Sequence, residues 1–190
     1  MRYNKIVFFT FINLFILTIF QAQAQKLDTS AFLGNAGYRV ICNNKKEDVN
    51  EVTISPKKFK KSIRDVSFSV RGKLAKIFVD DLNDDGFPDL LLCIYSGPKF
   101  EKGTILGIYS TEESILPAFF PDIFDDPKLR DGYKGLDEYS IVVGTLLRSF
   151  PIYLATDTDV PTGGTRVVQY KIVPDAEKRM AFKVLRTYLK

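Results

Sequence analysis

The sequence predicts an all-β chain: an antiparallel β-sandwich of about eight strands with one short helical turn near residues 126–131. Three observations lead there. Apolar and polar residues alternate with a period of two, as in Val66, Phe68 and Val70 against Ser67, Ser69 and Arg71, which is the pattern of a half-buried strand. Val168, Tyr170 and Ile172 repeat it, and so do Met180, Phe182 and Val184. Helix signals are confined to one place, 126–132, where Asp126 can cap, Pro127 takes the first helical position and Gly132 closes. Turn residues punctuate the short apolar runs throughout, the rhythm of a sandwich or barrel.

The elements follow in order. Strands are expected over 38–42, 52–55, 66–71 and 73–79. Residues 90–94, Leu-Leu-Leu-Cys-Ile, are apolar without alternation, which places them in a central strand buried on both faces. A strand over 104–110 follows. Pro117 and Pro121 argue that 114–124 is an ordered loop. Strands over 140–143 and 146–150 are joined by Gly144-Thr145 as a tight hairpin, and those over 168–172 and 180–184 by a turn at Pro174-Asp175. No repeat or linker-like stretch interrupts 25–190, so one domain is expected.

The chain starts with Arg2 and Lys5, an apolar run over 6–20 and Ala22-Gln23-Ala24, the layout of a secretory signal peptide cleaved after residue 24. The run is shorter than the ~20 apolar residues of a spanning helix, and Thr10, Asn13 and Thr18 interrupt it. Export to a periplasm follows, with no membrane insertion after cleavage. The formal charge of +4, two of whose cations lie in the leader, is too weak to argue for nucleic acid. In an exported chain Cys42 and Cys93 either pair or remain two buried thiols. The absence of His among 190 residues removes Ser-His-Asp and Cys-His nucleophiles and His-ligated zinc. No enzyme is expected; the one grouping that would serve is Glu138 with Lys134 and Arg166.

The most chemically pointed stretch is 81–89, Asp-Leu-Asn-Asp-Asp-Gly-Phe-Pro-Asp. Side-chain oxygens from Asp81, Asn83, Asp85 and Asp89, with the Phe87 carbonyl, offer a hard cation such as calcium its oxygen ligands if the loop folds back at Gly86. The twelfth position is Leu92 and the flanks are strand-like, so this is no EF-hand. The alternative is a strand-to-strand turn whose Asp and Asn side chains bond their own backbone.

Three blocks, Gly-Tyr-Lys-Gly-Leu-Asp-Glu-Tyr at 132–139, Val-Gly-Thr-Leu-Leu-Arg-Ser-Phe-Pro-Ile-Tyr at 143–153 and Pro-Thr-Gly-Gly-Thr-Arg at 161–166, resemble the periplasmic inhibitors of invertebrate-type lysozyme, as do 81–89 and 126–128. The resemblance spans roughly 78–171. It implies the β-sandwich, a lysozyme partner, and inhibition by an exposed loop after the central strand that enters the lysozyme cleft. The family carries Ser-Gly-x-Tyr there; here Lys99, Phe100, Glu101 and Lys102 occupy that register, and a Ser-Gly pair stands three residues earlier. The expected contact residues are therefore Ser96, Gly97, Lys99, Phe100 and Lys102. A glycan or another envelope protein, with calcium stiffening the domain, is the alternative partner, and a second copy of the chain stays open. Turn chemistry by itself accounts for 161–164, and Asp137 and Glu138 stand ready to pair with Arg148 or Arg166.

Overall fold

The computed structural model describes residues 26–99 and 101–190; the expected signal peptide, 1–24, and Phe100 lie outside the described residues. The described chain is almost wholly antiparallel β, with twelve strands rather than about eight, arranged as three four-stranded sheets. Each sheet is a meander. The first comprises β1 (Leu27–Leu33), β2 (Ala36–Cys42), β3 (Val49–Lys57) and β4 (Val66–Arg71). The second comprises β5 (Lys73–Asp80), β6 (Asp89–Ser96), β7 (Lys102–Ser110) and β8 (Ile115–Ala118). The third comprises β9 (Glu138–Val142), β10 (Thr145–Pro151), β11 (Thr165–Pro174) and β12 (Met180–Leu189).

Between the second and third sheets lie a 3-10 turn, Ile123–Asp125, and α1 (Pro127–Arg130). The expected helical turn is thus present, with Asp126 accepting from the backbone N–H of Lys128 and Leu129. Among the described residues no helix is long and apolar enough to cross a membrane.

Two cores explain the extra strands. Side chains along a strand point alternately to opposite faces. Leu90, Leu92 and Ile94 of β6 therefore join Tyr38, Val40, Val52 and Ile54 of the first sheet. Leu91 and Cys93 join Leu146, Phe150, Val168 and Tyr170 of the third. The second sheet is the middle layer of three, which is why 90–94 shows no alternation. Cys42 and Cys93 belong to different cores on opposite faces of that sheet, so both are free thiols, and burial pushes Cys93 up to about 12.

Part of the one segment expected to be a loop from its prolines turns out paired, and one hairpin turn is shifted. Ile115–Ala118 lies at the edge of the middle sheet, where Pro117 opposite Ile108 lacks only a donor that an edge strand can spare. The β9–β10 turn is Val143-Gly144, one residue earlier than expected, because Val142 pairs with Thr145. Both central residues are left-handed (φ +45° and +63°), as a two-residue hairpin with the right twist demands.

Candidate functional site

Strand β6 carries a turn at each end, and both sequence-predicted sites fall on them. Ser96 and Lys102 are the last pair of the β6–β7 ladder, so the connection is 97–101. Gly97 takes φ +94°, and Gly97, Pro98, Lys99 and Lys102 are exposed. The Glu101 carboxylate folds back to accept the Lys99 N–H at 2.9 Å, and backbone N–H groups of Glu101 and Lys99 hold it below the usual carboxylate range. Ser96, Gly97, Lys99 and Lys102 thus gather on one hairpin end, as expected; Phe100 lies outside the described residues.

The seat of this hairpin is the block 132–139. Leu136 donates its N–H to the Glu101 carbonyl at 2.5 Å. That approach needs Gly135, where φ is +100° and a Cβ would lie 2.7 Å from the same carbonyl oxygen. Behind it the fully buried Asp137 carboxylate accepts from Tyr133 Oη at 2.5 Å, Arg148 Nε at 2.6 Å and the Gly103 N–H at 2.7 Å. Arg148 Nη2 donates to Tyr133 Oη at 3.0 Å, and Tyr139 Oη donates to the Gly103 carbonyl at 2.8 Å. Tyr95, at the end of β6, donates to the Asp137 carbonyl at 2.8 Å, and burial pushes its phenol up to about 12. The Arg148 guanidinium sits among the rings of Tyr133, Phe150, Tyr139 and Phe120 at 5.2–6.0 Å. Burial opposes its charge, but Tyr139 and Asp137 outweigh that and raise its pKa. Every buried polar atom of this network is satisfied.

Asp137 therefore pairs with Arg148, one of the two arginines expected. The grouping of Glu138, Lys134 and Arg166 does not assemble: Glu138 is exposed, Lys134 reaches the Asp157 carbonyl and the Tyr153 ring, and Arg166 stands opposite Phe150 in the sheet. The block 161–164 is a turn, with Gly164 at φ +81° and Thr162 donating through both N–H and Oγ1 to Asp157. Those bonds hold Asp157 below its usual pKa.

At the other end of β6 the loop 81–89 spends its oxygens on its own backbone. Asp81 accepts from the N–H of Asp85 and Gly86, Asn83 from Asp85, and Asp85 from Phe87 and from the Asn83 amide. This is the geometry of the turn alternative. Asp84, left-handed at φ +62°, pairs with Lys171 of the third sheet. Asp89 departs from its expected place among surface ligands. It is fully buried, and its two oxygens accept the N–H of Leu82 and Ser110, stitching the turn to β7. Burial drives its pKa up to about 7 against the pull of those bonds. Among the described residues no three His, Cys, Asp or Glu side chains stand close enough together to hold a metal ion.

The residue that sequence reasoning underused is Arg148. Leu146, Arg148 and Phe150 all point inward from β10, so a cation in an apolar register was the available sign of a buried pair. Neither a family model nor a curated protein matches the chain.

Proposed function

We propose that this chain is an exported, non-catalytic binding protein of the lysozyme-inhibitor type, which blocks an invertebrate-type lysozyme cleft with the hairpin end 96–102 and acts in the periplasm once residues 1–24 are removed. What supports it, beside the resemblance of 132–139, 143–153 and 161–166, is one observation: an exposed hairpin end rests on a buried, fully bonded network. A loop held in place from beneath loses little freedom on docking, so more of its contact energy appears as affinity. Lys99 and Lys102 carry the sign that meets the acidic pair of a lysozyme cleft. With excess mature protein, turnover of peptidoglycan by an invertebrate-type lysozyme is expected to fall. The double variant Lys99→Glu/Lys102→Glu is expected to restore it at unchanged Tm. Full turnover at micromolar protein sinks the inhibitor reading.

The Asp-rich turn supports a second, compatible role, a calcium-stabilised envelope module that binds protein or glycan. Asp81, Asn83 and Asp85 side chains and the Phe87 carbonyl are hard oxygen donors on one turn, and a bound cation would compete with the backbone N–H groups that the three side chains now accept. Asp89 stands outside this set. Calcium at about 100 times its Kd would add roughly 2.7 kcal/mol of stability. The expected results are heat on calorimetric titration, a raised Tm, and loss of both in Asp85→Ala. A silent titration at millimolar calcium leaves a plain turn.

A further inference from the structure

Beside the hairpin seat lies a cleft of about 280 Å³, close to the lower limit of small-ligand cavities, and nothing above uses it. Its walls include Phe120, Phe124, Tyr133, Lys102, Asp122 and Arg148. Phe124 is the odd member, a large ring 51% exposed. Its backbone is nevertheless anchored. Asp122 accepts its N–H at 3.0 Å, Arg130 Nη1 donates to its carbonyl at 3.4 Å, and its ring packs edge-on against Tyr133 at 5.8 Å and 74°. An exposed ring on an anchored backbone is an apolar platform at the rim of the cleft.

The polar groups around that platform carry both signs. Lys102 and Arg148 are cationic and Asp122 is anionic, and Arg148 is already neutralised from behind by Asp137. Asp122 uses one oxygen, Oδ1, for its cap, and Oδ2 makes no bond within the described protein. Arg148 gives Nε and Nη2 to Asp137, Tyr133 and Gly103 and is only 2% exposed, so it closes the back of the cleft with its bonds already made. A lining with donors, acceptors and no net charge does not select an ion. It suits a neutral ligand with hydroxyls along its rim and C–H bonds on its face, and that is a sugar ring. We propose that this cleft is a saccharide-binding subsite, in which a pyranose lies on Phe124 with its hydroxyls toward Asp122 and Lys102. The subsite shares Ser96 and Lys102 with the hairpin end and rests on the glycan-binding reading above, with the glycan itself as ligand.

Titration of the mature protein with cellobiose and chitobiose, followed by amide chemical shifts, tests it. Saturable shifts at Lys102, Thr104 and Phe124 are expected for at least one sugar. Phe124→Ala is expected to weaken binding about tenfold, with Phe124→Tyr retaining it, since a ring contact is the quantity removed. Asp122→Asn keeps the cap and is expected to weaken binding through its lost charge. Because Phe124 and Asp122 are exposed, an unchanged Tm shows that neither variant acts by unfolding. Absence of saturation at tens of millimolar sugar, or saturation by acetate in place of sugar, overturns the proposal. Sugar binding without lysozyme inhibition, or the reverse, separates this subsite from the inhibitor reading.

Discussion

Arg148→Met is expected to lower Tm by roughly 6–20 °C. Arg148 is 2% exposed and Asp137 is 4%, so deleting the cation leaves a carboxylate inside the protein without its counter-charge. Breaking one partner of such a pair costs about 3–5 kcal/mol, and a domain of this size shifts by about 2–4 °C per kcal/mol. The damage is also directional. Asp137 holds the Gly103 N–H and Arg148 reaches the Gly103 carbonyl, so the start of β7 loses one tie directly and has another, Asp137, left without its counter-charge. Amide exchange at Gly103 and Leu136 is expected to accelerate before that of Leu91 or Leu92. Pairing Arg148→Met with Asp137→Asn should cost less than the two single changes summed, because the second removes the orphaned charge left by the first. A loss below about 1 kcal/mol for Arg148→Met would place the pair with solvent-screened surface bridges and remove the argument for a rigid hairpin seat.

Much of this arrangement was legible before any coordinates. Alternation located β4, β11 and β12, because a strand with one wet face writes its burial into every second residue. The Asp-Pro-Lys-Leu-Arg segment announced α1 through its cap and its proline. What stayed hidden depends on partners far along the chain. Leu27–Leu33 has only half-buried residues on its inner face, too weak a contrast to mark a strand. Ile115–Ala118 contains a proline that speaks against pairing, yet at a sheet edge the missing donor costs nothing. The site was visible in a similar proportion. The exposed hairpin end and the Asp-rich turn were named residue by residue. That Asp89 turns inward to fasten Leu82 and Ser110, and that Arg148 rather than Arg166 meets Asp137, required knowing which strands lie side by side.

The apolar run of β6 poses the sharpest test of the three-layer arrangement. Leu91→Ala and Leu92→Ala are each expected to cost about 2–5 kcal/mol, the range for opening a cavity at a buried leucine. Both residues are 0% exposed, but they empty different cores: Leu91 faces Phe150 and Val168, and Leu92 faces Val40 and Ile54. If β6 lay in an ordinary two-sheet sandwich with one solvated face, one of these two substitutions would behave as a surface change, within about 0.5 kcal/mol. Leu185→Ala, on β12 at 52% exposure, supplies that surface benchmark in the same protein. The two cores share the β6 backbone but not side chains, so the double variant should lose close to the sum of the single costs. Denaturant midpoints for the three single variants and the double decide it. A middle layer requires two large costs that add, whereas one large and one small cost would return the chain to two layers. A middle layer also explains how β6 can serve both of its ends. A strand packed on each face is held along its whole length of eight residues, roughly 25 Å, so the Asp-rich turn and the hairpin end sit at fixed separation with rigid β-sheet between them.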